Sequence, residues 1–251
     1  KLYVSYHRNF VNGVRAIMTC TSENFLEWTE PVYLEYGDAP NQHLYTNAVM
    51  PYLRGPHIKV GFPTRYLPDQ GSRVEPIFMT SRDGLVFKRW NEALIPEDAP
   101  EDRDGNRSNY MTRGLLQLPG NDRELSVYAT EAYYTGPDSR VRRFSFRVDG
   151  FVSVHGEAAA DRLLTRPLTF KGDTLVLNFT TVKNGRLRVE VQGDDGKPLR
   201  GLSLIYCLPL EGDQIEQAVR WRGGSLKGLS GKPVRLLFEL RGADLYSLRF
   251  R

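Results

Sequence analysis

Two glutamates stand at the ends of apolar segments in the first two thirds of the chain. Glu75 precedes PIFMT, and Glu131 lies in VYATEAYY, where alternation places it on one face with Val127 and Ala129. Two carboxylates at one opening could protonate a glycosidic oxygen and activate water, the chemistry of glycoside hydrolysis. Glu75 is the first candidate for the acid and Glu131 the second. The alternatives are a surface Glu75 paired with Arg65 or Arg73 and a Glu131 partnered by arginine.

Residue types that hold a sugar accompany these glutamates. Arginine and asparagine bind hydroxyl groups, and aromatic faces stack on sugar rings. Arg65 could also clamp the carboxylate or sulfate of an acidic sugar, although a lone arginine can equally bridge neighbouring sheets. The candidate substrate-binding residues are Arg8, Arg15, His43, Tyr45, Asn47, Arg65, Asn109 and Tyr133.

Short β-strands must position these side chains. Segments rich in Val, Ile, Tyr, Phe and Thr alternate with turn sequences such as VNG, RDG and LPGND. The phrases TSENFLEW and TSRDGLVFKRW resemble each other, with Ser22 and Ser81 59 residues apart. A repeat of that period indicates stacked supersecondary units. The alternative is a twofold β-meander with coincidental turns.

Grouping around the repeat predicts one complete four-stranded propeller blade. Its strands are expected at Asn47–Arg54, His57–Tyr66, Glu75–Ser81 and Phe87–Trp90. Three strands precede it and three follow, so the chain carries about two and a half blades of a partial five-bladed β-propeller. Closing the ring would require the absent N-terminal blades, from the same or another chain.

Blade geometry predicts that the candidate residues meet. In a meander, the start of strand one, the end of strand two and the start of strand three lie at the same opening of the central channel. His43 and Tyr45, Arg65, and Glu75 occupy those places in the complete blade. The neighbouring blades would contribute the remaining candidates to the same opening.

The last third of the chain has a different pattern. Arg186, Arg188 and Glu190 alternate with apolar residues, which predicts an antiparallel β-sandwich with one wet face per sheet. We therefore expect an all-β protein with a propeller part at residues 1–156 and a sandwich domain at residues 163–251. Glu157–Asp161 would be the linker.

Composition excludes several classes of protein. The chain has 251 residues, 40% hydrophobic and 25% charged, with a net charge of +4 from scattered arginines. There is no basic run for nucleic acid, no apolar stretch of membrane length and no cofactor motif, so no cofactor is expected. Cys20 and Cys207 are expected to be separate buried thiols. They leave the compartment open, with a secreted or periplasmic location among the options.

One acidic loop has the beginning of a calcium-binding pattern. Asp102, Asp104 and Asn106 alternate as the first ligands of such a loop would, but the distal glutamate is missing. A solvated loop is the preferred interpretation, and no metal site is predicted.

Four segments carry a family resemblance across essentially the whole chain: YHRNFVNGVRAIMTCTSENFLEWTEP, HLYTNAVMPYLRGPHIKVGFPTRY, SRDGLVF and VDGFVSVHG. They resemble bacterial hypothetical proteins similar to five-bladed propeller glycoside hydrolases of the invertase and arabinanase type, with a C-terminal sandwich. The resemblance implies a nucleophile or base in an early blade that is not in this sequence, and an acid in a later one. Its expected partner is a carbohydrate, and its expected action is carboxylate acid/base catalysis at the propeller opening.

Two alternatives stay open. TSRDGLVFKRW resembles the Ser-Asp-Gly-Trp turn of sialidase blades, which would indicate a sialidase-like hydrolase, but Asp83 and Gly84 lack the intervening residue of that motif. A noncatalytic carbohydrate-binding propeller would use the same residues to hold a sugar without cleaving it.

Overall fold

The structure, a computed structural model, describes residues 2–96, 109–133, 137 and 139–251. Within these ranges the regular structure consists of β-strands, and no helix is present. Consequently, the described residues include no helix long or apolar enough to cross a membrane. The contacts divide the chain into two units, Lys1–Phe146 and Arg147–Arg251.

The described residues of the first unit form three antiparallel sheets. The first sheet has the order β1-β2-β3, with strands β1 (Tyr3–Val11), β2 (Val14–Ser22) and β3 (Val32–Tyr33). The third has the order β10-β11-β12, with strands β10 (Tyr110–Met111), β11 (Glu124–Glu131) and β12 (Arg140–Arg147). The second contains the strands β4 (His43–Leu44), β5 (Met50–Tyr52), β6 (Gly55–Gly61), β7 (Thr64–Leu67), β8 (Arg73–Ser81) and β9 (Lys88–Ala93).

The second sheet behaves as a meander of four long strands, two of which are interrupted. β7 pairs with the first half of β8 and β6 with its second half, and the register runs on from Thr64↔Pro76 to Gly61↔Met79 without a shift. β4 and β5 pair in turn with β7 and β6, and β9 pairs with the other side of β8. The sheet therefore has four strand positions, occupied in order by β4 and β5, by β6 and β7, by β8 and by β9.

Proline explains why the predicted strands are broken. The single strand expected at His57–Tyr66 is divided at Pro63, which has no N–H to donate to a ladder. Pro63 still accepts a hydrogen bond from the Ile77 backbone at 2.9 Å, so the pairing resumes. The strand expected at Asn47–Arg54 is reduced to three residues around Pro51.

The repeated phrase is a structural repeat. β2 and β8 are nine residues long and end at Ser22 and Ser81. The Asn24 side chain accepts hydrogen bonds from the backbone N–H groups of residues 26 and 27 at 2.9 Å, and Asp83 accepts the equivalent bonds from residues 85 and 86 at 2.9 Å. In both copies the serine hydroxyl accepts the bond from the residue three positions on, at 2.8 Å. Each turn is closed by its own side chains.

A shared core joins the first two sheets of this unit. It contains Ile17 and Leu34 from the region of the first sheet, and Ile77, Met79 and Phe87 from the second, all less than a tenth exposed. Because Glu75 alternates with Ile77 and Met79 along β8, its side chain leaves the same face of the strand.

The second unit is built on two long strands. Its strands are β13 (Val154–Gly156), β14 (Asp161–Leu164), β15 (Leu175–Gln192), β16 (Asp213–Ala218) and β17 (Arg235–Phe250), in the order β13-β17-β15-β16 with β14 also paired to β17. Leu187, Val189 and Val191 are fully buried, as the alternation predicts. Glu190 is expected on the wet face, but it is only 7% exposed and accepts hydrogen bonds from Gln192 Nε2 and the Leu204 N–H. The two cysteines are buried free thiols, as expected.

The long strands β15 and β17 continue through glycines. The ladder between β15 and β17 shifts register between Thr181 and Arg186 instead of ending. Gly242 has a φ of 50°, and a Cβ there would lie 2.6 Å from Val182. A Cβ on Gly185 would lie 2.4 Å from the Gly242 carbonyl oxygen. The glycine pair therefore allows the two backbones to approach where the ladder bends.

Candidate functional site

Seven aromatic and cationic side chains from the three sheets of the first unit form a continuous cluster. We call this cluster the arginine–tyrosine rim; it consists of Arg8, Arg15, His43, Tyr45, Tyr66, Tyr110 and Tyr133.

Two arginines of the first sheet lie over one tyrosine of the second. The Arg8 guanidinium carbon is 4.7 Å from the centre of the Tyr45 ring, and that of Arg15 is 4.8 Å from it. Arg8 Nη1 also donates to the Tyr45 carbonyl oxygen at 3.0 Å. These cation–π contacts hold both positive charges beside an aromatic face.

His43 fixes the position of Arg15. Its Nδ1 accepts a hydrogen bond from the Arg15 backbone N–H at 3.2 Å and lies 3.2 Å from Arg15 Nη1. A nitrogen that accepts in this way carries no hydrogen, so the imidazole hydrogen is on Nε2. The His43 ring meets the Tyr66 ring edge to face at 5.7 Å.

Tyrosines extend the cluster to the third sheet. The Tyr45 and Tyr110 rings are 5.8 Å apart, and the Tyr110 and Tyr133 rings are 5.4 Å apart, both in edge-to-face geometry. Tyr133 is 39% exposed, and Tyr45 and Tyr110 are half-buried. The rim therefore presents apolar ring surface next to positive charge.

Local sequence explains why these residues meet. Asn12 and Gly13 both have positive φ, as the two-residue hairpin turn between β1 and β2 requires. That turn places Arg15 opposite Phe10 and keeps Arg8 on the neighbouring strand. Tyr45 is anchored in the second sheet because its backbone N–H donates to the Thr64 carbonyl at 2.6 Å.

Glu75 lies apart from this cluster in a buried ion pair. Arg65 faces it across β7 and β8 and donates to its Oε1, and Arg73 Nε lies 3.4 Å from its Oε2. Arg65 Nη1 also donates to the Asn91 carbonyl oxygen at 2.7 Å. The three charged groups line a cavity of about 460 Å³ beside β9, together with Asn91, Glu92, Ala93 and Pro96.

Glu131 is fully buried between two arginines of β12. Arg140 Nε donates to its Oε2 at 2.7 Å, and Arg142 Nε donates to its Oε1. Both carboxylate oxygens are thus engaged by guanidinium groups. The arginine partners considered for Glu75 and Glu131 are present in the structure, and they orient each carboxylate firmly.

Two predicted binding residues hold backbone segments instead of facing the rim. Asn47 Nδ2 donates to the Tyr6 carbonyl at 3.1 Å, and its Oδ1 accepts from the Val49 N–H at 3.3 Å. Asn109 is buried, and its backbone N–H donates to the Val74 carbonyl at 3.0 Å, which connects the third sheet to β8. Of the predicted residues, the structure brings together Arg8, Arg15, His43, Tyr45 and Tyr133.

A buried arginine next to Arg65 had no role in the sequence prediction. Arg89 donates to the Pro40 carbonyl and lies 5.3 Å from the centre of the Tyr36 ring. Burial lowers the pKa of Arg89, whereas burial raises the pKa of the Tyr36 phenol. Only pairing between distant segments identifies such a residue, because KRWNEA itself is typical of an exposed strand.

No group of three or more His, Cys, Asp or Glu side chains able to hold a metal occurs among the described residues. The calcium pattern at Asp102, Asp104 and Asn106 lies outside those residues.

Comparison with known proteins gives weak likenesses. No protein-family model matches the sequence, and no curated protein sequence matches it. A family 43 arabinoxylan arabinofuranohydrolase from Bacillus subtilis, solved with cellotetraose, is 12% identical with a TM-score of 0.24, over 98% of this chain and 78% of that one. A fructofuranosidase from Schwanniomyces occidentalis, solved with fructose, is 8% identical with a TM-score of 0.33, over 98% and 92%. A family 32 β-fructofuranosidase from Bombyx mori is 8% identical with a TM-score of 0.33, over 99% and 89%.

These structural neighbours are glycoside hydrolases. At such TM-scores the likeness assigns neither a fold nor an activity to this chain, and the function has to be inferred from its own side chains.

Proposed function

We propose that the protein is a glycoside-hydrolase-like β-propeller protein that binds a glycan at the arginine–tyrosine rim. The observation that carries the proposal is the unbroken series of ring contacts from Arg8 through Tyr45 and Tyr110 to Tyr133. It joins three sheets at one place, as expected at the opening of a propeller.

The chemistry of the rim suits a sugar. The exposed Tyr133 ring and the half-buried Tyr110 ring offer apolar surface for the C–H side of a pyranose or furanose ring. The guanidinium groups and the His43 Nε2 hydrogen offer donors to hydroxyl oxygens. The tyrosines support one another edge to face, so little side-chain freedom would be lost on binding.

The second sheet, with its four strand positions, and the repeated turn support the propeller part of the proposal. Each turn lies at the end of an equivalent nine-residue strand, which is the relationship between successive blades. Two and a half blades do not close a ring, so further blades from the same or another chain belong to the proposal. We keep as predictions the domain limits 1–156 and 163–251 and the sandwich. In the structure, the first unit ends at Phe146.

Hydrolysis is the second candidate function. It is favoured by the cavity beside β9, where Glu75 and Glu92 line one space as an acid and a second carboxylate would. Against it, the oxygens of Glu75 and Glu131 are engaged by arginines, which favours binding without cleavage. Binding without cleavage is therefore the preferred hypothesis, and catalysis by Glu75 and Glu131 is the alternative.

A glycan panel tests both functions. The protein is incubated with plant, algal and microbial polysaccharides, and bound glycan and newly formed reducing ends are measured in parallel. We expect binding that Tyr45→Ala reduces about tenfold or more, because Tyr45 holds both guanidinium groups in place and contacts Tyr110. Tyr128→Ala is the control, because Tyr128 is a surface tyrosine of β11, 37% exposed, that lies outside the rim.

Three results are informative. Failure of the intact protein to bind any panel member would refute the proposed function. Equal losses of glycan affinity in Tyr45→Ala and Tyr128→Ala would show that the glycan does not bind at the rim. Release of reducing ends that Glu75→Gln abolishes would add hydrolysis to binding.

A further inference from the structure

The arginine–tyrosine rim holds two positive charges that have no carboxylate partner among the residues the structure describes. Arg65 and Arg73 pair with Glu75, and Arg140 and Arg142 pair with Glu131. Arg8 and Arg15 form no such pair with any described Asp or Glu. Both guanidinium groups are instead held over Tyr45.

Arg15 is the more constrained of the two. It is half-buried, and its Nε is enclosed without a hydrogen-bond acceptor among the described residues. It contacts the Tyr45 ring at 4.8 Å, the Tyr66 ring at 5.8 Å and His43 Nδ1 at 3.2 Å. A partly desolvated guanidinium without a carboxylate partner gains most from an anionic acceptor.

We propose that the rim selects an anionic glycan, with Arg8 and Arg15 binding its acidic group while the tyrosines contact the sugar ring. This inference rests on the proposed glycan-binding function. A neutral sugar would engage the rings but would leave two adjacent like charges uncompensated, whereas a carboxylate or sulfate ester accepts bidentate hydrogen bonds from guanidinium groups. A carboxylate and a sulfate ester are alike in this respect, so the proposal covers glycans that carry either group.

Matched glycan pairs test the inference by calorimetry. One pair is a galacturonate oligosaccharide and its carboxyl-reduced form; the other is a sulfated galactan oligosaccharide and its desulfated form. We expect at least one acidic member to bind about tenfold or more tightly than its neutral counterpart, and the preference to shrink as salt rises. The pair that discriminates identifies the acidic group as carboxylate or sulfate.

Arginine variants assign the preference to the rim. Arg15→Gln and Arg8→Gln should each lower the ratio of acidic to neutral affinity toward one, and Arg15→Lys should restore only part of that ratio because lysine lacks the planar fork. Arg82→Gln is the charge-matched control, since Arg82 is exposed in the turn after β8. Circular dichroism of each variant verifies folding.

The outcomes separate the two proposals. Equal affinities for acidic and neutral members, or an acidic preference that survives both arginine changes, would overturn the anionic selection and leave glycan binding intact. Absence of binding to all four oligosaccharides and to the whole polysaccharide panel would overturn both.

Discussion

Arg65 and Glu75 face each other across β7 and β8 and form an ion pair in which the two residues are 7% and 4% exposed. Removing one member of a buried pair leaves an uncompensated charge, which costs about 3–5 kcal/mol, whereas replacing both by apolar residues is often neutral. The pair therefore affects stability whether or not Glu75 has a catalytic role.

Arg65→Leu should accordingly lower the free energy of unfolding by about 3 kcal/mol, moderated by the remaining Arg73 contact. The double variant Arg65→Leu, Glu75→Leu should recover much of that loss. Urea unfolding of the wild type and the two variants measures the difference. A single variant as stable as the wild type would show that the ion pair does not contribute to the fold.

The repeated turn predicts a pH dependence that one copy has and the other lacks. Hydrogen bonds from the Leu85 and Val86 backbone and from Ser81 lower the pKa of Asp83 below its usual value. A lowered folded-state pKa gives stability that is present above the unfolded pKa of about 4 and is lost as the pH falls through the folded pKa. Asn24 occupies the equivalent position in the first copy without a charge.

Asp83→Asn should therefore remove this contribution without opening the turn. Near neutral pH the wild type should melt at a higher temperature than the variant, and this difference should shrink as the pH falls from about 5 to about 2 and Asp83 becomes protonated. Melting temperatures across that range measure it. Parallel pH profiles of the two proteins would contradict the assignment.

Gly242 should tolerate substitution poorly for two separate reasons. Its φ of 50° is unfavourable for alanine, and a Cβ would contact Val182 at 2.6 Å. Gly196 has a φ of 74° with open space around it, so Gly196→Ala reports the backbone cost alone, about 1–2 kcal/mol. Gly242→Ala should exceed that cost in urea unfolding, and equal losses would show that β15 and β17 relax around the added methyl group.

Local patterns predict local features of this protein well. The TSENF and TSRDG phrases form the same turn because each supplies its own hydrogen-bond acceptors. Arg8 and the pair His43 and Tyr45 belong to different sheets, and their convergence is expected because equivalent positions of neighbouring blades lie at one opening. By contrast, the close approach of the long strands at Gly242 is revealed only by the pairing of β15 with β17. The arginine partners of Glu131 likewise depend on the register of β12, which alternation does not determine.

Glu131 offers the sharpest distinction between structural and catalytic roles of the carboxylates. Both of its oxygens accept from arginines of β12, and none of its surface is exposed. Glu131→Gln keeps the shape and one acceptor but removes the charge that compensates Arg140 and Arg142. We expect a loss of about 1–3 kcal/mol in the free energy of unfolding, with glycan affinity of the folded protein within about twofold of wild type. Urea unfolding and calorimetry measure the two quantities separately. Unchanged stability combined with complete loss of reducing-end release would instead place Glu131 in the catalytic machinery, because a general acid acts on the reaction barrier and not on the fold.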